Sequence, residues 1–322
     1  MKAIVRTRYG SPDVLELQEV EKPVPKDGEV LVQVHAASVN TLDWHTMRGQ
    51  PFLLRTMDGG LSKPKDPGLG VDLAGRVEGV GANVTQFQVG DDVFGMGHGA
   101  FAECACAAEN RLALKPTDLS YEAAAAVPIA AVTALQGLRD KGHVRPGEQV
   151  LIQGASGGVG TFAVQIAKAF GAEVTAVCST WNVDQARTLG ADHVIDYTQE
   201  DYTKKRQRYD LIVAVNGYRP ISAYRRTLRP TGRYVLVGAS NHLFQALFQA
   251  FLLGPVLSRM GSKKVGGMLS HPSQQQLVIL KELLESGKVV PVIERRHALS
   301  ETSEAIRYLE EGHARGKIVI TV

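Results

Sequence analysis

The sequence predicts an α/β protein in two parts, a partly open β-barrel and a doubly wound parallel sheet. Three observations predict it. A chain of 322 residues is about twice the length of one ordinary core. Its first third breaks into short β-branched runs separated by Gly and Pro turns. From near Tyr121 onward, strand and helix patterns alternate at the ~30-residue spacing of βαβ units.

Composition bounds the partners. Hydrophobic content of 44% with 21% charged residues excludes wholesale disorder. Thirty-six Lys+Arg against 33 Asp+Glu leave +3, too little to argue for nucleic acid or an anionic membrane. Three cysteines make neither a disulfide framework nor a four-cysteine zinc lobe, so the chain reads as reduced and cytoplasmic. The N-terminus has no apolar leader core, and no run reaches the ~18 apolar residues of a membrane span.

The elements follow in order. Strands are expected at 2–5, 29–36, 72–81 and 100–106, with the Pro-rich stretch 22–28 and the turn 89–92 between them. An Ala-rich helix is expected over 122–138. The parallel sheet then draws on strands at 149–153, 173–177, 193–196, 210–214 and 233–237, with helices at 159–170, 183–190 and 221–228. Helices at 274–286 and 301–312 and a strand at 317–322 close the chain.

The strongest motif is Gly154-Ala155-Ser156-Gly157-Gly158-Val159-Gly160, between the 149–153 strand and a periodic helix. Laid on G-x-G-x-x-G, the small Ala155 turns strand into helix, Gly157 lets backbone approach a pyrophosphate, and Gly160 lets the helix lie on the sheet. Amides at the helix start face the anion with the positive end of the dipole. Strand, glycines and helix in this order point to a dinucleotide site spanning Ala155, Ser156, Gly157, Gly158, Val159 and Gly160.

The end of the next strand bears on which dinucleotide. It reads Val177-Cys178-Ser179-Thr180-Trp181-Asn182, without the carboxylate that NAD sites use for the ribose 2′-OH. Ser179, Thr180 and Asn182 are each able to donate to phosphate oxygens, so NADP is favoured. The alternative is a polar turn capping the next helix. No Arg or Lys stands in the string.

At this point the sequence resembles the medium-chain dehydrogenase/reductase superfamily and, within it, the zinc-independent quinone oxidoreductases. The matching residues are Ala37-Ser38-Val39-Asn40 with Asp43, Gly70-Val71-Asp72-Leu73-Ala74-Gly75-Arg76-Val77 and Val89-Gly90-Asp91-Asp92-Val93. Further matches are Ala131-Val132-Thr133-Ala134, the 155–160 loop, Leu189-Gly190-Ala191-Asp192 with Ile195-Asp196-Tyr197, and Gly316-Lys317. The resemblance implies a GroES-like catalytic domain of residues 1–123 and 267–322. A Rossmann NADP-binding domain, 124–266, is inserted between them, with the active site in the cleft and homodimers formed through the Rossmann domains. It implies Asn40 and Thr133 near the nicotinamide, and Ser179 and Tyr197 near the adenosine phosphate. Asn216, Gly238 and Ala239 run along the cofactor, and Lys317 is returned to its phosphates.

Departures from the zinc-dependent relatives are specific. Those use Cys within the stretch equivalent to 40–43 and Gly-His-Glu where this chain has Gly70-Val71-Asp72; Cys104, Cys106 and Cys178 fall at neither place. No metal is therefore expected. Cys104 and Cys106 share a strand face, which reads as small residues on a packed strand. His45 stands where quinone reductases of this group often carry Tyr, and Trp181 where some carry Arg.

Without a Lewis acid, an isolated ketone is hard to reduce, whereas a quinone or α,β-unsaturated carbonyl delocalises the incoming charge. The expected reaction is hydride transfer from NADPH to such an acceptor. Asn40 positions the nicotinamide or the acceptor oxygen, and His45 donates the neutralising proton. The plain alternative for His45 is a loop histidine, and Asp43 braces its loop. Segment 243–252 carries three Phe at helical spacing and is expected to cover the cleft or join a dimer surface rather than fill core. Two competing readings are a metal-using alcohol/aldehyde dehydrogenase and a non-enzymatic NADPH-binding protein.

Overall fold

A computed structural model describes residues 1–52, 55–56, 60–238 and 243–322, the last without the side chains of 243 and 244. Chain contacts divide it into two compact units. The first comprises Met1–Ala130, Pro272–Glu285 and Pro291–Val322; the second comprises Ala131–His271 and Ser286–Val290.

In the first unit, β1 (Lys2–Arg6) pairs antiparallel with β2 (Leu15–Glu19). The main sheet is built on β3 (Glu29–Val39), which pairs with β4 (Asp72–Val80) and, beyond it, β5 (Asp92–Met96). β6 (Cys104–Ala108) also pairs with β3, and β7 (Leu112–Leu114) closes on β5. Alternation along β3 sends Val30, Val32 and Val34 inward, and these meet Leu73, Val77, Phe101 and Ile320 in one core. Helix α1 (Thr41–Arg48) follows β3 directly, within a stretch where the sequence suggested no element. The strand expected over 100–106 begins only at Cys104, because Ala100 and Phe101 bond back to Gly70 and Leu69.

The Ala-rich helix is broken. α2 (Tyr121–Ala125) stops, and α3 (Pro128–Leu135) restarts at Pro128, which has no N–H to continue a helix but suits a first turn. A π-helical stretch, Gln136–Lys141, then leads into the second unit's sheet.

That sheet has six parallel strands in the order β10–β9–β8–β11–β12–β13. They are β8 (Gln149–Gln153), β9 (Glu173–Cys178), β10 (His193–Asp196), β11 (Tyr209–Ala214), β12 (Leu228–Leu236) and β13 (Lys264–Gly267). Intervening helices are α4 (Gly158–Ala169), α5 (Val183–Thr188) and α6 (Ile221–Thr227), then α7 (Leu243–Leu247) and α8 (Gly254–Arg259). Strand order reverses between β8 and β11, which makes their carboxyl ends the switch point where such sheets bind ligands.

β13 was not expected. It adds a sixth strand beside β12, and Gln136 then bonds Ser270 and His271, so this unit runs to His271 rather than to 266. At the other boundary, Ile129 N donates to Asp72, which keeps residues to Ala130 with the first unit rather than only to 123. The first unit resumes with α9 (Gln274–Glu285), β14 (Ile293–Ala298), α10 (Thr302–Glu310) and β15 (Lys317–Thr321), the last pairing antiparallel with β3.

Candidate functional site

Two assemblies of polar residues emerge, one in each unit. In the second, the carboxyl edge of the sheet gathers most of the residues singled out in the sequence. Gly154 leaves β8 at φ +81, so the left-handed turn lies one residue before the expected Ala155, which is buried behind it. Gly157 caps α4 with extended backbone, and a Cβ there would meet nothing within 4 Å. The space beyond it is open to a ligand, and first-turn amides of α4 have no intrahelical acceptor. Gly160 is different: a Cβ would lie 2.0 Å from Gly154 O, so only glycine lets helix and strand approach this closely. Ser156, Gly158 and Val159 are half-buried around the same turn. This open cradle at a helix start fits a dinucleotide pyrophosphate.

Neighbouring loops complete the edge. Asn216 follows β11, takes a backbone bond from its own N–H to Gln153 O, and crowds Gly154. Gly238 follows β12 and donates its N–H to Ala214 O. Ala239 lies outside the described residues, and Thr133 is buried on α3.

After β9 the expected donors are spent differently. Asn182 Nδ2 donates to Ser179 Oγ at 2.9 Å, and Thr180 Oγ1 donates to Asp196 Oδ2 at 2.6 Å. Of the three, Thr180 has spent its only proton, whereas Ser179 keeps its hydroxyl proton and Asn182 the second proton of its amide. Tyr197 is 54% exposed beside them.

In the first unit, four sequence-distant residues form a buried charged cluster. Asn40 ends β3, Asp43 lies in the first turn of α1, Asp72 opens β4 and Lys317 opens β15. Lys317 Nζ donates to Asn40 Oδ1 at 2.6 Å and to Val39 O at 3.1 Å, and pairs with Asp72 Oδ2 at 3.5 Å. Asn40 Nδ2 donates to Asp72 Oδ2 at 2.9 Å, and Ser38 Oγ reaches the same oxygen. Asp43 Oδ2 accepts from Asn40 N–H at 2.7 Å, which fixes the start of α1. Burial pushes the Asp43 carboxyl up to about 7, with Asp72 adding repulsion against the bond from Asn40. Burial also raises Asp72 and lowers Lys317. The low-cost state is a neutral cluster: Asp72 ionised against Lys317, with Asp43 carrying a proton.

Lys317 is thus not a phosphate ligand. Its side chain is 3% exposed and its ammonium committed within its own unit, which corrects the expectation that it returns to the cofactor. Asn40 makes three of the four hydrogen bonds open to an amide, all inside the cluster. His45 stands half-buried on α1, its ring stacked on Trp44 at 4.4 Å, and burial lowers its pKa.

Residues 26–117 match the family described as alcohol dehydrogenase GroES-like domain, and residues 189–320 match the one described as zinc-binding dehydrogenase. A chloroplast envelope quinone oxidoreductase homolog of Arabidopsis thaliana is 33% identical, over 99% of this chain and 98% of that protein. The mouse NAD(P)H oxidoreductase RTN4IP1, mitochondrial, is 34% identical over 100% of this chain and 89% of its own. The solved quinone oxidoreductase from Coxiella burnetii superposes with a TM-score of 0.87 at 31% identity, covering 100% and 99% of the two chains.

The chain belongs to the zinc-independent quinone oxidoreductases of the medium-chain dehydrogenase/reductase superfamily. It is an oxidoreductase of α/β fold, with a Rossmann sheet and a GroES-like part, and its cofactor is a nicotinamide dinucleotide.

Zinc, which the second family's description names, does not fit the residues present. Asn40 and Asp72 already hold the Lys317 ammonium, a cation that repels a metal. Burial raises the Cys104 and Cys106 thiols, and two cysteines on one strand fall short of the three or four ligands a zinc site needs. Among the described residues no three His, Cys, Asp or Glu form a metal-holding group, and no helix is long and apolar enough to cross a membrane.

Proposed function

We propose that this chain reduces quinones and α,β-unsaturated carbonyls with NADPH, as a cytoplasmic homodimer. The observation that carries the reading is the open glycine cradle at the start of α4, where a Cβ on Gly157 would meet nothing within 4 Å. When bound, the dihydronicotinamide supplies a hydride. Conjugated acceptors suit a site without metal because the incoming charge spreads onto their own oxygen.

The chain's own residues have separable tasks in this reading. Amides at the start of α4 hold the pyrophosphate, with Ser156, Gly158 and Val159 lining the turn. Thr133, Asn216 and Gly238 line the rest of the dinucleotide, and Ser179 with Tyr197 faces its adenosine end. β9 ends without a carboxylate, which supports the phosphorylated coenzyme. Asn40 is a positioning residue: it ties β3, β4 and β15 together at the point where α1 departs. His45, carried on α1, donates a proton to the enolate or phenolate.

Support for self-association comes from 243–260. Ala246 and Ala250 face inward, while Phe248, Phe251, Leu252, Val256 and Met260 are exposed, beside the edge strand β13. Large apolar side chains outside and small ones inside are the reverse of a core helix. Three free cysteines suit a reducing compartment.

The test is oxidation of NADPH and NADH against a panel of 1,4-quinones and 2-alkenals, with wild type and Asn40→Ala. Activity on a simple ketone lost to chelator, with none on conjugated acceptors, would sink the reading.

A further inference from the structure

The end of β10 supplies what the end of β9 lacks. Register pairs Asp196 with Cys178, so the Asp196 carboxylate stands one strand spacing from the residue preceding Ser179. It accepts from the Thr180 hydroxyl at 2.6 Å and from the Thr198 backbone N–H at 2.9 Å and hydroxyl at 2.7 Å. These bonds, that of Thr180 first, hold its carboxyl below the ordinary value, so it is ionised at neutral pH.

The side chains beside it bear on the same choice. Asn182, a buried residue, gives one of its two amide N–H groups to Ser179 Oγ, and its Oδ1 is shut inside the turn. A phosphate dianion offers only acceptors, whereas a ribose hydroxyl offers a proton. Beside the Ser179 hydroxyl the edge therefore presents the Asp196 carboxylate, which accepts from a ribose hydroxyl but not from a phosphate.

We propose that Asp196 is a specificity-determining residue for the coenzyme, making the site accept the unphosphorylated ribose of NADH alongside NADPH. The proposal rests on a dinucleotide binding at α4 and sharpens the coenzyme part of the function above. Fixed negative charge opposes a 2′-phosphate, while the free 2′-hydroxyl finds an acceptor.

Calorimetric titration tests it without turnover. NADPH, NADH, adenosine 2′,5′-bisphosphate and ADP are titrated into wild type, Asp196→Asn and Asp196→Glu. In wild type the two coenzymes are expected to bind within about tenfold of each other. Asp196→Asn should raise the NADPH:NADH affinity ratio by about tenfold, with the bisphosphate gaining over ADP in parallel, and Asp196→Glu should keep the wild-type ratio. An unchanged ratio in Asp196→Asn overturns the inference while leaving the proposed reductase standing. Wild type that binds neither coenzyme overturns the reductase reading, and this one with it.

Discussion

The carboxyl edge of the parallel sheet and the buried cluster of the first unit are both polar, yet they are built on opposite principles. At the edge, function rests on what is missing: no Cβ at Gly157, no intrahelical acceptor for the first amides of α4, and half-buried or exposed side chains around them. In the cluster the side chains answer one another: Asn40, Asp72 and Lys317 are mutually bonded, and Lys317 and Asp72 are almost wholly shielded. The edge is open to a ligand and tolerant in itself; the cluster is closed and intolerant. Substitutions should therefore sort cleanly, with edge changes costing binding and cluster changes costing the fold.

The largest effect is expected at Lys317. Lys317→Ala would leave two buried carboxyls, Asp43 and Asp72, without a cation. Removing one partner of a buried pair costs about 3–5 kcal/mol. Urea unfolding at neutral pH should show a loss of that order, and a smaller one at acidic pH, where the stranded carboxylates take up protons. A variant as stable as wild type at neutral pH would mean that the cluster is decorative, and the contrast between the two regions would fail.

Gly157→Val is the counterpart at the edge. Its Cβ meets open space in the protein itself, so stability should fall by no more than about 1 kcal/mol from the poorer helix cap. Dinucleotide affinity should fall by about tenfold to a hundredfold, because the side chain occupies the approach of the pyrophosphate. Calorimetry and thermal melting on one preparation separate the two readouts. Undiminished affinity would remove the case for a nucleotide at this turn.

These regions also differ in how far the sequence discloses them. Residues Gly154 to Gly160 act through their own backbone on their immediate neighbours, so spacing alone reveals the cradle, apart from the shift of the left-handed turn from Ala155 to Gly154. The cluster joins residues from 38 to 317, brought together by the β3–β4 and β3–β15 pairings. Its motifs, Asn40 with Asp43, Asp72, and Lys317, are each visible, but nothing in a linear pattern assigns them to one another. Helix α1 did leave a signal: an acid three residues after Asn40 and a glycine at 49 in the left-handed region are start and stop marks. Asp196 was in view as part of a motif, yet its bearing on the β9 end depends on strand register, and that is fixed only by the folded sheet.

A pH titration sharpens the contrast. The folded pKa of Asp43 is raised to about 7, above an ordinary value near 3.8. Between those values the folded state keeps a proton that the unfolded chain has lost. Its contribution to stability is therefore full at acidic pH, declines through this window, and is lost as pH passes about 7. Asp43→Asn carries no titrating proton, so its stability curve should lack that decline. Curves that run parallel from acid to neutral pH would show that Asp43 does not titrate as burial dictates.

The smallest effect is expected at His45, which rides on α1 next to the cluster but is itself half-open. Burial lowers its pKa below the usual 6.5, so its charged form is lost as pH rises through a value under 6.5. If His45 donates the proton that follows hydride addition, turnover should carry a limb that falls across that range. A 2-alkenal leaves an enolate whose carbon must be protonated, whereas a quinone leaves a phenolate that water protonates readily. His45→Gln should accordingly slow alkenal reduction by roughly threefold to tenfold and remove the limb, while quinone reduction and coenzyme affinity change little. A limb that survives the substitution belongs to another group, and His45 then does no more than stack on Trp44 and close its helix.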